Sequence, residues 1–326
     1  MNVKDSTHLI DPEIMECAFS VGEDSSEINY KSSREEYQKT FAGVNIEQLY
    51  NVKAENIWIK NPFDDNKVRL WIVKPARTLT EPAPLFYNIH GGGMFMGLPE
   101  MDIDVVGPLA EKFGFICVCP DYRLAPEYVQ PAQLHDCYAG IKWCVENKDE
   151  LYIDTSKIAI AGASAGGGLA GGLALYIRDK KEFVFHHLRL QQPMLDDRTA
   201  IKATHPYNGQ YVFGKGGDYF GWKSVLNQEP GSEGISEYYC PSRAKSLKGL
   251  PSTYLSVGSI ELFADETIDF AKQLMYDGVP TELHVYPGWH HAGPHASKAF
   301  STIKERENQN NALLRALGIF DGIKTK

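Results

Sequence analysis

From residue 56 onward the chain carries a regular succession of short apolar runs. They occur at "NIWIKN" (56–61), "KVRLWIVKP" (67–75), "PLFYNIHG" (84–91), "FICVCPDY" (115–122), "KIAIAGAS" (157–164), "HHLRLQQPML" (186–195), "STYLSVGSIE" (252–261) and "TELHVYPG" (281–288). These runs, continuous or alternating and set off by turn-forming residues, predict eight strands. Between the later ones the apolar spacing shifts to the helical period, as in "QLHDCYAGIKWCVEN" (133–147) and "ADETIDFAKQLMYDG" (264–278). Strands separated by helices of this length predict βαβ units and a mostly parallel sheet with helices on both faces.

Two segments break the rhythm. Residues 1 to about 50 are polar and charged, with helix-like stretches such as "SREEYQKTFAGVNIEQLY". Residues 196–243 hold "HPYNGQYVFGKGGDYFGWKSVLNQEPG", rich in glycine and aromatics and far longer than an ordinary αβ loop. Such a segment predicts a lid or a binding surface, and Tyr207, Tyr211, Phe213 and Trp222 are its candidate substrate-facing residues.

Composition narrows the setting. With 326 residues, 43% of them hydrophobic, the chain can build one large α/β domain with a smaller accessory part. A net charge of −9 argues against nucleic acid as a partner and gives no reason to dock on an anionic membrane. "MNVKDSTHLIDPEIMECAF" lacks the pattern of a signal peptide, and no run approaches the roughly 18 apolar residues of a membrane span. Six cysteines without a CxxC pair are not a disulfide framework, and Cys117 and Cys119 read as small buried hydrophobes. The expectation is a reduced, cytoplasmic protein.

The candidate chemistry gathers at strand ends. Gly162-Ala163-Ser164-Ala165-Gly166 fits the G-x-S-x-G elbow, in which a serine sits on a strand-to-helix turn too sharp for flanking Cβ atoms. "GGGLAG" (166–171) also matches the dinucleotide fingerprint. However, it begins inside the helix, and the next strand ends without the ribose-binding acid. After an earlier strand, "HGGGMFMG" (90–97) offers glycine N–H groups that an oxyanion can approach, at Gly91, Gly92 and Gly93, with Ala165 N–H as the other half of such a hole. His90 reads as a side chain that orients this loop.

"YPGWHHAGPH" (286–295) follows the last strand, where the order serine, acid, histidine places the base. His290 and His291 are adjacent, so one of them faces Ser164. A metal on His291 and His295 is disfavoured by Pro294 and by the lack of a nearby acidic or cysteine ligand. The acid belongs between serine and histidine, and "VGSIELFADE" (257–266) offers Glu261, Asp265 and Glu266. Glu261 stands at the strand end. Asp265 and Glu266 fall in the first helical turn, where the helix dipole accounts for them and neither needs a catalytic role.

Together "HGGGM", "DYRLAPE" (121–127), "GASAGGG", "QPMLDDR" (192–198) and "GLPSTYLSVGSIELFADE…YPGWHHAG" resemble the hormone-sensitive lipase family of carboxylesterases over residues 55 to 300. The resemblance implies an eight-stranded α/β-hydrolase core spanning residues 51–326. It also implies a cap made from residues 1–50 and an insertion at about 196–243 after the sixth strand. Ester hydrolysis without metal or organic cofactor follows from it, with a small-molecule ester as the partner; a homodimer fits this reading without being specified by it. Ser164 matches the family nucleophile, His291 its histidine, and Glu261 the position of an acid that is usually aspartate. Gly91 to Gly93 and Ala165 match the oxyanion hole. The sequence departs from the family in Ala163, often aspartate, and in "AG" after the histidine where "GF" is common. The expected activity is hydrolysis of short- to medium-chain acyl esters. A silent receptor of the same fold is the alternative, since the plant gibberellin receptors resemble this family but have lost the histidine, as is an amidase or lactonase on the same triad.

Overall fold

The structure is a computed structural model that describes residues 4–19, 30–41 and 43–319. Residues 1–3, 20–29 and 42 of the expected cap, and 320–326 at the C-terminal end, lie outside the described residues.

All eight expected strands form, as β1 (Val52–Lys60), β2 (Lys67–Pro75), β3 (Ala83–Ile89), β4 (Ile116–Asp121), β5 (Ile153–Ala163), β6 (His187–Gln191), β7 (Ser252–Gly258) and β8 (Thr281–Tyr286). They make one sheet in the order β1-β2-β4-β3-β5-β6-β7-β8. β2 runs antiparallel to β1 and β4; every other neighbouring pair is parallel. Strand β6 is shorter than its apolar run because Gln192 turns into the left-handed region at φ 43° and Pro193 follows. Strand β7 stops at Gly258, three residues before Glu261. Here a Cβ would lie 2.2 Å from the Trp289 carbonyl oxygen, so only glycine admits the incoming histidine loop.

The helices are α1 (Met15–Phe19), α2 (Tyr30–Phe41), α3 (Ile46–Leu49), α4 (Ile103–Phe113), α5 (Ala132–Glu146), α6 (Lys148–Leu151), α7 (Ala165–Lys180), α8 (Lys215–Leu226), α9 (Ala264–Tyr276) and α10 (Phe300–Ala316). Strand alternation divides the core between two faces. Leu85, Tyr87 and Ile89 of β3 join one apolar cluster with residues of α5, α7 and α9. Phe86, Cys117 and Cys119 join another beneath α4 and α10, so both cysteines are the buried hydrophobes their context predicts. Among the described residues no helix is long and apolar enough to cross a membrane.

The chain reverses direction across the sheet between β3 and β5, whose connections leave to opposite sides. In an open α/β sheet the crevice at the carboxyl ends of such strands is where ligands bind. The loops after β3 and β5 are the glycine run and the turn bearing Ser164.

The N-terminal residues fold against that edge. Arg34 of α2 donates from Nε to the Phe95 carbonyl oxygen at 2.5 Å and pairs with Glu127 at 2.8 Å. Ser6 reaches Gln210 and Thr7 reaches Tyr211, which joins the first residues to the long insertion. That insertion is partly helical, with α8 at its centre.

Candidate active site

Ser164 lies between the last residue of β5 and the first of α7, at φ 55° and ψ −125°. A non-glycine residue there carries strain of about 1–3 kcal/mol, sustained only by tight surroundings. The surroundings are tight. A Cβ on Gly162 would sit 2.1 Å from the Gly166 carbonyl oxygen, and one on Gly166 would sit 2.1 Å from that of Ile89. The turn closes only with both glycines, and it lifts the serine hydroxyl out of the sheet.

Two loops meet that hydroxyl. His291 Nε2 lies 3.0 Å from Ser164 Oγ, and its Nδ1 lies 2.7 Å from Glu261 Oε1. Glu261 is fully buried in the turn between β7 and α9, and its other oxygen accepts the Phe263 N–H at 2.6 Å. Burial pushes its carboxyl above the ordinary glutamate range, opposed by His291. A chain of this kind can move a proton from a hydroxyl onto an imidazole whose far nitrogen is held by an acceptor. The longer side chain of glutamate is accommodated because Glu261 lies in the turn rather than on the strand. His290 points elsewhere, its Nε2 3.3 Å from the Ile14 carbonyl oxygen.

The glycine loop passes beside the serine. A Cβ on Gly91 would stand 3.4 Å from the Ser164 Cβ. Gly92 takes φ 110° and Gly93 φ 62°. Among the described residues, the N–H groups of Gly92, Gly93 and Ala165 have no hydrogen-bond acceptor. His90 is buried and stacks on Tyr122 at 4.2 Å, with Nδ1 at 2.8 Å from the Gly91 carbonyl oxygen, which holds the start of the loop.

The family model described as the alpha/beta hydrolase fold matches residues 86–294, from β3 past the histidine loop. The chain belongs to this family, in its hormone-sensitive lipase-type branch. It is 30% identical to Esterase LipI of Mycobacterium tuberculosis over 62% of this chain and 63% of that protein. It is 29% identical to an arylesterase of Saccharolobus solfataricus over 68% and 72% of the two. The solved structure of a bacterial heroin esterase superposes with a TM-score of 0.89 at 30% identity, covering 96% of this chain and 99% of that one. Esterase LipW from Mycobacterium marinum gives 0.86 at 27%, covering 97% and 98%. The protein is accordingly a carboxylic ester hydrolase.

The four aromatics of the hydrolase's insertion part company. Phe213 packs 5.2 Å from the His291 ring, and Phe263, which the sequence did not single out, lies 5.7 Å from it. Tyr211 is buried 6.1 Å from the His290 ring. Tyr207 stands among His8, His205 and Lys4. Trp222 requires correction: it is fully buried within the core cluster and faces no open space. Its indole is the largest apolar group of α8, and burying it is what docks that helix on the core.

The opening turn of α9 brings a second correction. Asp265 is exposed and accepts the His205 N–H, as a first-turn acid can. Glu266 is only 5% exposed. It accepts the N–H groups of Leu195 at 2.6 Å and Asp196 at 3.2 Å, and the Thr199 hydroxyl. It ties the loop after β6 to the helix that follows Glu261, so the dipole alone does not account for it. Nearby Asp218 on α8 is fully buried, and burial pushes its carboxyl well above the ordinary range, aided by the charges of Glu261 and Asp196. Neither was legible as buried, because each is a charged residue on a helix of mixed composition whose packed face the local pattern does not identify.

The metal-ligand geometry among the described residues is limited to Asp196, Asp197 and Cys240. Asp197 is already committed to Arg243 at 2.7 Å and to the Cys240 thiol at 2.9 Å.

Proposed function

We propose that the hydrolase cleaves short- to medium-chain acyl esters of small alcohols or phenols through an acyl-enzyme on Ser164. The observation that carries this is the unbroken hydrogen-bonded chain from Glu261 through His291 to a serine held in a strained turn. Ser164 Oγ attacks the ester carbonyl while its proton passes to His291 Nε2. Glu261 holds the imidazole in the tautomer that leaves Nε2 basic, and stabilises the imidazolium that forms. The tetrahedral oxyanion takes the unengaged N–H groups of Ala165 and of the Gly91–Gly93 loop, aimed where charge develops. Collapse breaks the ester C–O bond, and the proton on His291 goes to the departing alcohol. Water, deprotonated by His291, then releases the carboxylic acid and restores Ser164.

In this proposal the N-terminal segment and residues 196–243 form a cap over the carboxyl edge of a catalytic domain that begins near residue 51, with Phe213 in the substrate pocket. Relatives named as an arylesterase and, at 26% identity, an acetyl esterase of Salmonella dublin support small acyl esters as substrates. The free thiols among the described residues suit a reducing compartment, which supports the cytoplasm as the place of action.

The test is pre-steady-state release of p-nitrophenol from p-nitrophenyl butyrate, with an organophosphate to mark the nucleophile. A burst equal to the enzyme concentration, labelling at Ser164, and loss of both in a folded Ser164→Ala protein are expected. Labelling at another serine would overturn the assignment. Ester binding without alcohol release would instead favour a receptor.

A further inference from the structure

The sheet carries a buried cation that its own chain does not satisfy. Arg189 stands in mid-β6, between Ala161 of β5 and Tyr254 of β7, on the face covered by α4 and α10. It is 4% exposed, and its guanidinium lies 4.6 Å over the Phe86 ring. Among the described residues no atom accepts a hydrogen bond from it, and Nη1 is buried without a partner. A guanidinium has five N–H donors and keeps its charge in proteins, so burying it without an acceptor is costly.

Two acids act on Arg189 through space, Glu305 and Asp102. Glu305 accepts from Ser256 at 3.0 Å through Oε1 while its Oε2 is buried without a partner, and Asp102 accepts from Asn88 at 2.7 Å. Burial pushes both carboxyls up, that of Asp102 to about 6, and among the described residues neither accepts a hydrogen bond from the guanidinium.

Arg189 lines a cleft of about 270 Å³ between α4 and α10. Lys112 and Arg306 line it too, and among the described residues neither is in an ion pair. Of the acids on the cleft, Glu307 is paired with Lys304 at 2.6 Å, and Asp104 accepts the Tyr50 hydroxyl at 2.9 Å. Gln309 also lines the cleft, where its buried Oε1 can accept only from a donor group of a ligand, not from the anionic head itself. Val105 and Ile303 supply apolar wall.

We propose that this cleft between α4 and α10 binds a small organic anion with a carboxylate or phosphate head, separate from the ester site, which opens at the carboxyl ends of β3 and β5. The planar guanidinium of Arg189 takes two oxygens of the head side by side, as its fork geometry favours. Lys112 and Arg306 close over it, and a short apolar part of the ligand lies against Val105 and Ile303. The cleft shares no residue with the serine, histidine, acid or glycine loop.

Isothermal titration of the full chain with inorganic phosphate, and separately with butyrate, tests this. Saturable one-to-one binding of at least one anion is expected. Arg189→Met should weaken it about tenfold or more and Arg306→Gln severalfold, while p-nitrophenyl butyrate turnover stays unchanged in both. Phosphate binding that Arg189→Met weakens fixes a phosphate head, and butyrate binding that Arg189→Met weakens a carboxylate head; either supports the site, whereas butyrate binding that Arg189→Met leaves unchanged belongs to the ester site and overturns it. Absence of saturable binding by both anions up to tens of millimolar overturns it. So does an affinity unaltered by Arg189→Met. Should that variant fail to fold, Arg306→Gln and Lys112→Gln decide, and unchanged affinity in both overturns it.

Discussion

Exchange of Glu261 for glutamine tests the hydrogen-bonded chain at its most specific point. Both carboxylate oxygens of Glu261 are acceptors, one from His291 Nδ1 at 2.7 Å and the other from the Phe263 N–H at 2.6 Å. A glutamine has one oxygen and one NH₂ for these two donors. If its oxygen faces His291, its NH₂ meets the Phe263 N–H, donor against donor. That arrangement costs about 1–3 kcal/mol, the penalty of a buried donor left unmet. The side chain therefore turns over and presents NH₂ to Nδ1. The imidazole must then carry its proton on Nε2, facing Ser164, and can no longer accept one. The ion-pair stabilisation of the imidazolium, about 1.5–3 kcal/mol for a charged hydrogen bond, is lost as well. Together these effects amount to about 4 kcal/mol, or about 10³ in kcat. Stability should change little, because burial already disfavours the charge that glutamine removes. The assay is steady-state hydrolysis of p-nitrophenyl butyrate beside a thermal melt, with Asp265→Asn as the comparison. A Glu261→Gln enzyme within tenfold of wild-type kcat, or a crippled Asp265→Asn enzyme, would refute the reasoning.

Three further outcomes follow from the same region. Phe213→Ala, which empties space beside the His291 ring, should raise the relative kcat/KM for longer acyl chains; an unchanged chain-length profile with a lowered Tm would make the ring purely structural. Glu266→Met should lower stability by about 1–3 kcal/mol in denaturant titration, because a thioether cannot replace the oxygen that accepts the Leu195 and Asp196 N–H groups or the one that accepts from Thr199, whereas Asp265→Asn should cost under about 1 kcal/mol. The raised carboxyl of Asp218 means that the folded chain keeps a proton which the unfolded chain releases near pH 3.8, so this group's contribution to stability falls as pH rises above that value. Asp218→Asn should flatten the decline that sets in above pH 3.8 by up to about 1.4 kcal/mol per pH unit, and an unaltered slope there counts against a raised Asp218.

What the sequence made legible was what short-range geometry dictates. The eight strands follow from apolar runs that the sheet buries on both faces at its centre and only in part at the edge strands β1 and β8. The serine turn follows from Gly162, whose Cβ would strike the Gly166 backbone four residues on, while Gly166 is required by the distant Ile89 backbone of β3. The order of serine, acid and histidine follows from strand ends sharing one edge. Boundaries slipped where a distant loop intervened: β7 ends at Gly258 because the Trp289 backbone arrives there, an event 31 residues away that no local pattern encodes.

Burial of polar side chains was the harder matter, and for a definite reason. Glu266 and Trp222 both lie on helices whose other residues are mixed, and periodicity assigns a helix face without saying what packs on it. Glu266 is buried because the loop after β6 presents two N–H groups and a hydroxyl to the α9 terminus, so its surroundings are polar although it is shielded from solvent. Trp222 is buried because α8 lies down on the core, when an aromatic-rich insertion could equally have stood open over the site. Asp218 follows from the same docking: once Trp222 is inside, a residue one turn earlier on the same helix is carried in with it and keeps its proton because no cation accompanies it. The α8 segment and the acid-bearing turn are thus one packed unit. A change at Trp222 should therefore reach the Glu261 turn through Asp218 and Glu266, with no contribution from direct contact with substrate.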